Sequence, residues 1–149
     1  MIDPAAANHT GRELELMLAG KKPLAMFYAE IGELPDDELI PEERFATYVV
    51  SGQFVRGETM VEAAYHPALK RNVKVKYVFY ALRSEAWRIP AMILAMDVHK
   101  KVPGPRPNEA LDRITGALLG YTEAEMDAYC ASYRPPAVDT VDTSDTAKA

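Results

Sequence analysis

The stretch VKVKYVFYALRSEAWRIPAMILAMDV, residues 73–98, decides the fold. Two apolar runs, residues 73–82 and 87–98, flank the polar connector Arg83-Ser84-Glu85-Ala86. In the first run Val73, Val75, Tyr77, Phe79 and Ala81 alternate with Lys74, Lys76, Val78, Tyr80 and Leu82. That two-residue period describes a strand exposed at its start and buried toward its end. The second run is apolar at both parities, with Ile89, Ala91, Ile93 and Ala95 against Pro90, Met92, Leu94 and Met96, the pattern of a strand covered on both faces. Together they predict a β-hairpin in which Pro90, lacking an amide donor, marks a bulge or an outward-facing position.

Working outward on the N-terminal side, Phe54 to Ala64 alternates moderately and reads as a strand whose polar set, Arg56, Glu58 and Glu62, faces water or a cleft. Before it, Pro41 to Ser51 reads as a short helix with Phe45, Tyr48 and Val49 on one face, closed by Gly52. LAMFYA, residues 24–29, lies between Pro23 and Gly32 and reads as a buried strand. Thr10 and Glu13 have capping-box spacing and open a helix of about ten residues that carries Leu14, Met17 and Leu18 and stops at Gly20.

On the C-terminal side KKVPGPRP, residues 100–107, is a rigid connector. Asn108 then caps a helix through Leu111, Ile114, Leu118 and Leu119 that ends at Gly120. Thr122 and Glu125 form a second capping box, opening a last helix with Met126, Tyr129, Cys130 and Tyr133 along one side. Residues 1–9 and 135–149 are polar, small and poor in core formers, so both ends are expected to be disordered. Residues 10–134 form one α+β domain: a mostly antiparallel sheet of about four strands, with an N-terminal helix and a C-terminal helix pair packed on it.

Charge is divided along the chain. Residues 30–62 hold nine acids against Arg44 and Arg56, whereas residues 66–106 hold nine bases against Glu85 and Asp97. The two segments neutralise each other if they pack side by side, and otherwise present an interaction surface. No apolar run approaches the roughly 20 residues that span a bilayer, and no signal-peptide layout opens the chain, so a soluble cytoplasmic protein without membrane association is expected. A single cysteine, Cys130, excludes an internal disulfide and reads as a buried thiol on an apolar helix face.

Chemistry-bearing motifs are missing. The histidines, His9, His66 and His99, have no metal-ligand spacing, no serine sits in a nucleophile elbow, and the glycines form no phosphate loop. No metal or cofactor is expected. Asp97 and His99, two apart on a strand, would share a face as a carboxylate and imidazole pair.

The remaining candidates for a binding site are Tyr28, Glu30, Arg56, Glu58, Tyr77, Tyr80, Trp87, Arg88 and His99, because tyrosine, tryptophan and arginine combine apolar bodies with polar tips. These features predict a small interaction or regulatory protein that binds a macromolecular partner, a protein, through the aromatic and basic sheet surface or through the acidic segment Glu33 to Glu43. A homo-oligomer is compatible with the same surface. The alternative is a small-molecule binder or small enzyme with a pocket between the sheet and the C-terminal helices. Nucleic acid binding through Lys74, Lys76 and Arg88 is opposed by the acidic balance of the whole chain, −5.

Overall fold

The computed structural model describes residues 9–31, 39–104 and 108–133, excepting the side chains of residues 63–66. The segments 1–8 and 135–149, for which disorder is expected, lie outside the described residues, as do Arg134, residues 32–38 of the acidic segment and residues 105–107 of the expected connector. His9, the last residue of the expected N-terminal tail, is itself buried.

The second half of the expected hairpin is a helix. After a 3-10 turn at Arg83–Glu85 the chain runs as an α-helix over Arg88–Lys101. Alanine, methionine and leucine dominate its middle and are strong helix formers, while Pro90 falls in the first turn, where backbone amides have no intrahelical acceptor. Its sequence misleads because the helix is apolar all round, which erases the 3.6-residue period that an amphipathic helix would show.

Among the described residues the sheet therefore has three strands, not four. β1 is Leu24–Glu30, β2 is Phe54–His66 and β3 is Arg71–Leu82, all antiparallel in the order β1-β3-β2. β3, correctly read from its alternation, is the central strand. β2 and β3 form a hairpin with a register irregularity between Glu62 and Tyr65. The helices within the described residues are α1 (Glu13–Leu18), α2 (Glu42–Val50), α3 (Arg88–Lys101), α4 (Glu109–Leu118) and α5 (Glu123–Ser132).

Of the three expected side-chain caps, two form and one does not. Asn108 Oδ1 accepts from the Leu111 amide at the start of α4, and Thr122 with Glu125 completes a capping box on α5. The box expected at Thr10 does not form. α1 is a six-residue helix that starts at Glu13, and its cap residue, Arg12, makes no side-chain capping bond. Gly20, at φ 71°, still provides the left-handed exit.

Each face of the sheet carries its own core. On one side Ala25, Phe54, Val78 and Tyr80 pack with Met17 of α1, Phe45 of α2 and Ile40. The centre is aromatic: Phe45 stacks on Tyr80 at 4.2 Å between ring centroids, with Phe27 edge-on to both. On the other side Leu24, Phe79 and Ala81 meet Ile89 and Met92 of α3, joined by Leu118 and Leu119 at the end of α4. α4 packs beside α3, and α5 packs on α4 at Gly116, where a Cβ would run into Met126. Cys130 is fully buried, as its helical position implies.

Candidate functional site

Being apolar all round, α3 buries only its inner side. Ile89, Met92 and Ala95 face the sheet and α4. Trp87, Ala91, Leu94 and Val98 recur at i, i+4, i+7 and i+11 and so share the outer face. Trp87 is 56% exposed and Leu94 63%. Below this face, between α3 and the edge of β2, runs a groove of about 1130 Å³ lined by Thr59, Val61, Tyr77, Pro90, Ile93 and Leu94, with Asp97, His99 and Lys100 near its end. The floor and both walls are chiefly apolar, so the groove and the outer face of α3 make one continuous surface from which water gains little by hydrogen bonding.

The nine residues selected from sequence divide among separate places. Tyr28 and Tyr77 are register partners on β1 and β3 and tilt together at 5.5 Å, on the α3 side. Burial, and after it Tyr28, raises the Tyr77 phenol above its ordinary value. Glu30 ends β1, half-buried opposite Val75. His99 lines the groove with Tyr77, but on a helix residues two apart diverge by about 200°, so the strand geometry that would have paired His99 with Asp97 is absent. Asp97 instead bonds Lys101 at 2.9 Å.

Arg56, Glu58 and Tyr80 belong to the opposite face and meet there through Glu42, which the sequence reading did not select. Arg56 donates to both Glu42 oxygens, at 3.1 and 2.5 Å, and to Glu58 at 2.8 Å. Tyr80 donates its hydroxyl to Glu42 at 3.0 Å. The Arg56 hydrogen bond holds the Glu42 carboxyl below its usual range, while burial and the same carboxylate push Tyr80 up to about 12. All these charges answer one another, so the network is structural: it fastens α2 to β2 and β3. The signal was available, since Glu42 begins α2 immediately after Pro41, but only the tertiary fold turns it onto β2.

Trp87 and Arg88 also part company. Arg88 donates to Glu85 at 2.8 Å and to the carbonyls of Ala117 and Leu118 at 3.0 and 3.2 Å, closing the C-terminus of α4. Trp87 lies on the outside, with the Arg88 guanidinium 4.8 Å from its ring and its indole donated to Glu85.

A second polar cluster, on residues the sequence reading left unassigned apart from the capping role of Glu125, joins the N-terminal segment to the α4–α5 turn. Lys22 is 2% exposed, and its ammonium lies 2.9 Å from His9 Nδ1 and donates to the Leu119 carbonyl at 2.8 Å. The His9 ring stacks on Tyr121 at 3.9 Å, and its Nε2 is 3.5 Å from Glu125. Burial lowers Lys22 to about 8, and burial followed by Lys22 lowers His9. Beyond Tyr121 and Glu125, a cleft of about 550 Å³ opens between α4 and α5, with Asp112, Met126 and Tyr129 in its walls.

Among the described residues no group of His, Cys, Asp and Glu could hold a metal ion, and no helix is long and apolar enough to cross a membrane. Comparison of the chain with protein-family models, curated proteins and solved structures returns no match.

Proposed function

We propose that the protein is an interaction module that docks a protein partner on the outer face of α3. One observation carries this reading: residues 89–96 of α3 are apolar at every position, yet the described residues cover only one side of them, leaving Leu94 in solvent together with the flanking Trp87 and Val98. Tryptophan beside a charge-paired arginine is characteristic of a binding hot spot, and Leu94 and Val98 at helical spacing extend the apolar contact around it. The sheet surface is less suited to the role, since both of its faces carry helices, and Glu42 of the acidic segment is committed to Arg56 and Tyr80.

The test is site-specific photocrosslinking from position 94 in the source cell. A discrete protein adduct that disappears when Trp87→Ala is added, with thermal stability unchanged, supports the reading; diffuse or absent adducts oppose it. A second reading, a small-molecule binder, draws on the cleft between α4 and α5, where Asp112 and Tyr129 stand beside apolar walls. It requires a thermal shift from a metabolite library that Met126→Trp removes.

A further inference from the structure

We propose that a second copy of this chain pairs with the edge of β2, extending the two three-stranded sheets into one six-stranded sheet about a twofold axis at Thr59. This pairing is independent of what docks on α3. Some backbone groups along β2 are already used. The Gln53 carbonyl accepts from Arg83 at the start of the hairpin, and the Lys100 ammonium reaches the Glu62 carbonyl from outside the sheet at 3.2 Å. In an antiparallel pair successive residues turn their N–H and C=O alternately toward and away from the partner. Gly57, Thr59 and Val61 therefore bond β3, whereas Arg56, Glu58, Met60 and Glu62 direct their backbone groups outward.

Among the described residues no strand lies beyond this edge. The irregularity after Glu62 ends the regular ladder there, so the pairable segment is Arg56–Glu62. Natural edges are short, covered or charged against such pairing. Here Lys100 touches only one end, and Met60, 61% exposed, stands in the middle.

Charge selects both the partner and the register. With Thr59 on the axis, Arg56 of each copy, while keeping its bonds to Glu42 and Glu58, lies directly opposite Glu62 of the other, and Glu58 opposite Met60. Moving the axis by one residue, to Met60 or to Glu58, sets Glu58 against Glu62 or against its own symmetry mate, and like charges directly opposite are destabilising. The Thr59-centred register thus makes two opposite-charge pairs by symmetry, and the contact is isologous and closed. It also brings both α3 helices to one face of the joined sheet, with the groove side of each turned toward the other copy, so that Pro90 and Ile93 gain apolar cover. The outer stripe through Trp87, Leu94 and Val98 remains free in both copies.

The experiment combines sedimentation equilibrium with a cysteine crosslink. The full chain is expected to sediment at twice its 16.5 kDa mass. Met60→Pro removes an outward amide that the monomer does not use, so it is expected to give a monomer with an unchanged circular dichroism spectrum. Glu62→Arg is expected to raise the dimer dissociation constant about tenfold by setting two guanidinium groups opposite each other. Thr59→Cys, on the axis in a non-hydrogen-bonded pair with Cα atoms about 4.5 Å apart, is expected to form an intermolecular disulfide under mild oxidation, whereas Val61→Cys is not. A wild-type chain that stays monomeric at high micromolar concentration, a dimer indifferent to Met60→Pro, or crosslinking at position 61 in preference to 59 overturns the proposal.

Discussion

The two sides of the sheet are built on different principles. Under α2 the contacts are aromatic and directional: Phe45 stacked on Tyr80, with the Tyr80 hydroxyl and the Arg56 guanidinium converging on Glu42. Under α3 a single buried ring, Phe79, sits among aliphatic and methionine side chains centred on Ile89 and Met92 and bordered by an open groove. The first side specifies one arrangement, because a stacked ring and a bidentate ion pair tolerate little displacement. The second is adaptable and incomplete, which is where a partner can be accommodated.

Phe45 holds the aromatic side together. Phe45→Ala should cost about 3–5 kcal/mol, because it removes the ring in contact with Tyr80, Phe27 and Phe54 together. Met92→Ala, across the sheet, should cost less within the range of about 2–5 kcal/mol, since flexible neighbours such as Met96 can move into the space. Urea unfolding of both variants checks the order; an equal loss would mean that the two sides are equally rigid.

Next in size is the pH response of the seam at Lys22. Its pKa in the folded chain, about 8, lies below its ordinary 10.5, so between these values the unfolded chain binds more protons and stability rises with pH. The gain is on the order of 2–3 kcal/mol, and it is lost again as pH falls through 8. Tyr80 acts in the opposite sense: its pKa, raised to about 12, makes the folded chain hold a proton that the unfolded chain releases above pH 10. Stability should therefore climb from pH 8, peak near 10 and then fall. Lys22→Met should abolish the climb and Tyr80→Phe should soften the fall, both read from thermal midpoints across that range.

Arg56→Met tests the network itself. The pair is about a third exposed, so solvent screening reduces its worth, and a loss of about 1–2 kcal/mol is expected. That loss should shrink as pH falls below the ordinary carboxylate range, because Glu42, whose pKa is depressed in the folded state, contributes stability that disappears on protonation. The smallest effect belongs to the open side. Leu94→Asp should change stability by no more than about 0.5 kcal/mol while eliminating partner capture. A large destabilisation there would mean that α3 is already covered within the monomer.

The candidate site was only partly legible in the sequence. Tyr77, Trp87 and His99 do lie on or beside the open side, and the prominence of Trp87 and Tyr77 came from residue type alone. Leu94 and Val98 passed unnoticed because an apolar residue in a run read as a doubly covered strand has no exposed side to display. Tyr80 and Arg56 were selected for the same chemical reasons as Trp87, yet the fold consumes them in the Glu42 network. Lys22 and His9 lie far from the α4–α5 turn in the chain, and nothing local announces that Lys22 reaches Leu119 or that His9 stacks on Tyr121.

Local rules operating over a few residues determined β1, β2 and β3, the start and end of α2, the caps of α4 and α5 and the burial of Cys130. Alternation, capping and glycine at a left-handed exit each act through neighbours in the chain. Periodicity left open whether residues 88–101 coil or extend, and the tertiary structure decided it. A run that is apolar at every position suits a two-sided strand as well as a helix, and backbone propensity and the space beside β3 tip the balance. From that one decision follow the three-stranded sheet, the exposed edge of β2 and the uncovered face of α3, where the proposed function resides.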